Sequence, residues 1–184
     1  MFKISLRHLT ATAMLTALSI IFERFLPITP PSDTIDIRIS FGNVPIILAG
    51  LLVSPFMGLL CGIVSDLVGC FISGYPPYPL LMLAPAVTGF LPGFIAMTLG
   101  AKKIAEKKFV LRCAVLIFAV TMSHILSSFL ITTYGLCQMR GIAFTPMFLT
   151  RVPAMLIGLF IDAFSVCLLY TPLKEALKKD KRKQ

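Results

Sequence analysis

Four arginines, Arg24, Arg38, Arg140 and Arg151, stand far from any lysine in the sequence, whereas Arg7, Arg112 and Arg182 each lie within four residues of one. Arginine presents a planar fork of donors that grips carboxylate or phosphate bidentately, whereas lysine offers a point charge. Two or more of the four converging on one anion would make a recognition site. Taken singly, each is as well explained by snorkelling to an interface or by local pairing, Arg24 with Glu23 and Arg38 with Asp36. Three other ionisable residues, Asp66, His124 and Asp162, fall inside long apolar runs. An ionisable group at membrane depth is expensive, which makes function the first hypothesis, yet a lone histidine or aspartate in a bundle is more often a satisfied core group. Asp66 leans towards a structural part, and His124 and Asp162 receive no role. Tyr75, Tyr78 and Tyr134 stand near the ends of apolar runs, where they suit either an interfacial aromatic belt or the wall of a site.

No catalytic constellation accompanies these residues. There is no G-x-x-x-x-G-K-[ST] phosphate loop, no H-E-x-x-H and no G-x-S-x-G turn, so the chain does not read as an enzyme, and energy for any transport must come from a partner. Cys61, Cys70, Cys113, Cys137 and Cys167 are scattered, without C-x-x-C or a histidine at ligand spacing. They read as small apolar packers, and neither metal nor cofactor is expected. The net charge of +9 does not point to nucleic acid, because the basic residues neither spread over a soluble domain nor alternate with exposed aromatics.

The elements that must position these groups follow from composition. The chain is 57% hydrophobic with a mean hydropathy of +0.92, beyond the roughly 45–50% apolar share of soluble domains. This predicts an all-α integral membrane protein of six transmembrane helices, near residues 9–26, 41–53, 56–72, 80–99, 114–134 and 152–170. The second is too short to cross a core of ~30 Å upright. Residues 1–173 form one membrane domain and 174–184 a basic tail. No small-x-small cleavage site follows the first apolar run, so that helix is expected to be retained.

Six crossings place Lys3, Arg7, the basic loop from Lys102 to Arg112 and the tail from Lys174 on one side. That side holds 13 of the 17 basic residues and all ten lysines. Lysine and arginine mark the cytoplasmic side of short loops, so both termini are predicted to be cytoplasmic and the four arginines to face outward. Small residues recur one turn apart at Ala13 and Ala17, Gly58 and Gly62, and Gly89 and Gly93. Such spacing permits close helix approach, intramolecular for the glycine pairs and open to a partner helix for Ala13 and Ala17.

The run RISFGNVPIILAG from Arg38 to Gly50, with Ser54, Pro55, Gly58, Gly62, Ser65, Asp66, Leu67 and Gly69 after it, resembles the substrate-binding S-components of energy-coupling factor (ECF) vitamin transporters. Glu23-Arg24-Phe25-Leu26, Gly74-Tyr75-Pro76, Thr88-Gly89 and Arg151-Val152-Pro153 extend the likeness, which is greatest to the folate-specific FolT subfamily. The resemblance implies a six-helix S-component bundle in the bacterial cytoplasmic membrane, with an outward pocket under the loops after helices 1, 3 and 5. It also implies an alanine surface on helix 1, Ala13 and Ala17, that docks a transmembrane T-component driven by two cytoplasmic ATPases. For folate, Phe41, Asn43, Tyr75 and Tyr134 would supply the walls and amide partners, and Arg24, Arg38, Arg140 and Arg151 the cations at the rim. The stretch Pro76-Pro77-Tyr78-Pro79-Leu80 departs from the subfamily turn, which leaves another anionic vitamin such as pantothenate as an alternative. From a different class, a membrane enzyme or assembly factor without a small-molecule ligand is the competing reading.

Overall fold

The computed structural model describes residues 6–26, 40–74, 76–99, 109–141 and 143–181. Among them the chain forms six helical rods and no strand. They are α1 (Leu6–Arg24), α2 (Asn43–Leu52), α3 (Pro55–Ser73), α4 (Pro79–Thr98), a fifth rod composed of α5 (Phe109–His124), a π-helical segment (Ile125–Thr132) and α6 (Thr133–Arg140), and finally α7 (Phe144–Lys181).

Boundary chemistry explains where the rods begin and end. Ser54 caps α3 by accepting from the Met57 amide at 3.2 Å, with Pro55 at the first helical position. Proline has no amide hydrogen to leave unsatisfied there. Gly74 ends α3 at φ 71°, the left-handed conformation that glycine adopts without a Cβ penalty. Gly141 does the same after α6 at φ 66°.

The last two rods exceed the lengths predicted from sequence. The fifth is helical from Phe109 and the last from Phe144 to Lys181, because polar ends such as Gln138 and Lys178 fall below any apolar threshold while remaining good helix formers. At 1.5 Å per residue the 38 residues of α7 span about 57 Å, so this helix runs well past a hydrocarbon core of ~30 Å.

Among the described residues, four helices are long and apolar enough to cross a membrane: Pro55–Ser73, Pro79–Thr98, Leu111–Arg140 and Phe144–Lys174. Large apolar side chains such as Phe56, Phe71, Phe118, Phe160 and Phe164 point outward from the bundle, as lipid-facing residues must. α1 carries charge at its ends, and α2 is too short.

The short α2 is the centre of the molecule. It packs on α1, α3, α4 and α7, and every residue from Val44 to Gly50 is buried. One side meets Leu116, Val120, Val166 and Tyr170; the other meets Cys61. Its approach to α3 and α4 is backbone to backbone. A Cβ on Gly58 would fall on the Gly89 carbonyl and beside Gly50, and one on Gly93 would meet the Gly50 carbonyl. The glycine pairs are thus spent inside the molecule, as their spacing predicts.

Candidate ligand-binding site

The second rod is half the length of its neighbours, and that difference shapes the site. Ten residues of α2 rise about 15 Å. Its first residue, Asn43, therefore lies deep in the bundle, while α7 and the fifth rod continue for several turns towards Phe144 and Arg140. At this depth Asn43 Nδ2 donates to Asp162 Oδ2 at 3.2 Å, and His124 Nε2 meets the same oxygen at 2.7 Å. His124 and Asp162 are 3% and 1% exposed, whereas Asn43 is half-buried. Three helices thus close on one polar cluster. Nearby, Thr88 and Ser127 share a hydrogen bond of 2.6 Å between α4 and the π segment.

The π segment begins directly after His124. Thr132 and Thr133 donate their hydroxyls to the carbonyls five residues back, those of Ser127 and Ser128, each at 3.0 Å. Wide π turns are rare and gather at functional sites, because they shift the helix face that follows. Here the residues beyond the shift include Tyr134, 55% exposed, and Gly135, packed against Leu80 and Leu81 of α4.

Arg151 and Asp162 share α7 eleven residues apart. Three turns of helix bring them to nearly one face, with Arg151 about 16 Å nearer the Phe144 end. Arg151 is half-buried and Arg140 exposed. Phe41, 38% exposed, stands just before Gly42, whose carbonyl accepts from Ser19 at 2.8 Å. Arg24 is engaged differently: Nη1 donates to Ser73 Oγ at 3.0 Å, and Nη2 lies 3.9 Å from Asp66 Oδ1. Its guanidinium covers Gly69, where a Cβ would collide with it. Arg24 clasps the end of α1 to α3, and Asp66 has the structural part its sequence context suggests. Arg38 and Tyr75 lie outside the described residues.

His124 and Asp162 are the residues that sequence reasoning passed over. Their signal was present: each is an ionisable residue deep in an apolar rod, sixteen residues before Arg140 and eighteen after Phe144, so the two share a depth. The π segment has no comparable sequence mark.

The geometry defines a polytopic membrane protein whose polar cluster sits under the end of a truncated central helix, a class suited to holding a small molecule within the bundle. The chain matches the family of ECF-type riboflavin transporter S components over residues 3–179, and it belongs to that family of transport subunits. It is 29% identical over 141 residues to the folate transporter FolT of Clostridium novyi (strain NT), covering 76% of this chain and 74% of the relative. Its fold is similar to that in a crystal structure of FolT bound with folic acid, with a TM-score of 0.64, 20% identity, and coverage of 88% of this chain and 90% of the other.

Proposed function

We propose that this chain captures folate from outside the cell as the S-component of an ECF transporter. The observation that carries the reading is the placement of Arg151 three turns above the Asn43, Asp162 and His124 cluster on one face of α7. An elongated ligand with a hydrogen-bonding heteroaromatic ring at one end and carboxylates at the other fits that spacing. Folate is such a molecule, and the FolT likeness in sequence and fold supports it. Phe41, Tyr75 and Tyr134 serve as apolar walls, and Arg38 and Arg140 join Arg151 as the cations that face the glutamate. Riboflavin, which the family description names, is the second reading, but it carries no carboxylate for the arginines.

Calorimetric titration of folic acid and riboflavin into the purified protein decides between them. Truncating one partner of a buried, hydrogen-bonded charge pair costs about 2–5 kcal/mol, so Arg151→Ala and Arg38→Ala should each weaken folic acid roughly 30-fold or more. Heat with riboflavin and none with folic acid would overturn the assignment. Folic acid binding that survives both substitutions would keep the ligand and discard the arginine site.

The transport cycle needs partners. Ala13 and Ala17, both exposed on α1, form the surface on which the T-component docks, and two cytoplasmic ATPases supply the energy. Thr12, Thr16 and Ser19 of α1 are buried on the other side, with Thr16 donating to Cys61 Sγ at 3.2 Å, which leaves the alanine face clear. Both termini lie in the cytoplasm.

A further inference from the structure

We propose that Asp162 and His124 set the polarity of Asn43, so that the site meets its ligand there with a hydrogen-bond acceptor and selects a ring that brings a donor. This rests on the reading that Asn43 lines the ligand site. Asp162 Oδ2 faces both Asn43 Nδ2 at 3.2 Å and His124 Nε2 at 2.7 Å. Whether the hydrogen shared with the imidazole sits on nitrogen or on oxygen, Oδ2 keeps a lone pair for Asn43. The Asn43 amino group is therefore committed to the carboxyl, and its carbonyl oxygen points the other way. Asp162 and His124 are buried while Asn43 is half-buried, so the side of the amide turned from Asp162 is the side a ligand can reach. Among the described residues no group donates to Asn43 Oδ1.

Asp162 Oδ1 and His124 Nδ1 are buried without a hydrogen-bond partner. Each unsatisfied buried polar atom is destabilising, and native cores largely avoid them. The Thr88 and Ser127 hydroxyls, by contrast, bond one another, and Thr88 also bonds the Ala84 carbonyl. Arg24 and Asp66 also carry unpartnered buried atoms, so what distinguishes the His124–Asp162 pair is its contact with Asn43, whose amide it orients. Asp162 and His124 act as positioning residues, and Asn43 touches the ligand. The pteridine of folate meets the requirement, because its lactam N–H is a donor beside a flat ring.

Asp162→Leu removes the acceptor that holds the Asn43 amino group and leaves the amide free to turn either end to the ligand, whereas Asn43→Leu removes the amide itself. The measurement is the affinity ratio of folic acid to its N3-methyl analogue, whose lactam donor is lost. One hydrogen bond makes that ratio roughly tenfold or more in wild type. We expect the ratio to collapse in Asn43→Leu and to fall several-fold in Asp162→Leu. A ratio unchanged in either folded variant overturns the proposal. Should Asp162→Leu fail to fold, Asp162→Ala, which removes the same acceptor, is read in its place. If wild type binds riboflavin but not folic acid, the folate reading falls alone. Riboflavin also carries a ring N–H beside two carbonyls, so the same proteins then test the acceptor with N3-methyl riboflavin. A protein that binds neither vitamin overturns both.

Discussion

Arg24, a candidate ligand contact from sequence, is engaged with α3 inside the fold. Its guanidinium reaches Ser73 and Asp66 across the α1–α3 contact, and both charged side chains are largely buried, at 11% and 17% exposed. Removing one partner leaves the other desolvated and unmatched, a loss on the order of 1–3 kcal/mol, whereas replacing both by apolar groups can be nearly neutral. Arg24→Met is therefore expected to lower the melting temperature in detergent, and Arg24→Met with Asp66→Leu to recover most of it. Folate affinity measured on the same variants separates the roles: a clasp lowers stability first, while a ligand contact lowers affinity in a protein that melts normally. Asn43 is the contrasting case. Its amide type suggested a binding group from sequence, but the partner that orients it lies 119 residues away.

At the scale of elements, two helix faces built from small residues have opposite fates. Gly50, Gly58, Gly89 and Gly93 let α2, α3 and α4 meet at their backbones. Gly58→Leu would drive a side chain into the Gly89 carbonyl, and overpacking of this kind typically costs about 1–3 kcal/mol where the structure can yield. Backbone cannot yield as a side chain does, so we expect the variant to fail to accumulate as folded protein, read by size-exclusion profile and thermal melting. The alanine face of α1 is exposed at Ala13 and Ala17. Replacing both with leucine is expected to abolish uptake by cells while leaving folate binding by the isolated subunit within a few fold of wild type. Loss of both together would assign that face to folding.

At the scale of the whole molecule, the charge map predicts the orientation. Lys174, Lys178, Lys179, Lys181, Arg182 and Lys183 follow the last apolar segment, and such clusters remain on the cytoplasmic side. A reporter joined after Gln184 should be active only if it works in the cytoplasm. Activity of a periplasmic or external reporter there would invert the topology and place the arginines on the wrong side for capture.

Hydrophobic run lengths were enough to define an all-α membrane protein of six helices, since a bilayer leaves a spanning segment few alternatives to helix. Glycine spacing likewise announced close packing, and proline and glycine marked the ends of α3. Family membership was legible in the stretch from Arg38 to Asp66, where glycine, proline and polar residues stand at fixed intervals. Helix ends were less so: α7 continues to Lys181 because a helix can leave the membrane without stopping, and hydropathy measures only the part inside. Local sequence contained no sign of the π segment, whose hydroxyl-to-carbonyl bonds depend on the register of a whole rod. The meeting of Asn43, His124 and Asp162 belonged to tertiary structure alone. It depends on where a ten-residue helix stops relative to two longer ones, a relation between segments that no single segment encodes.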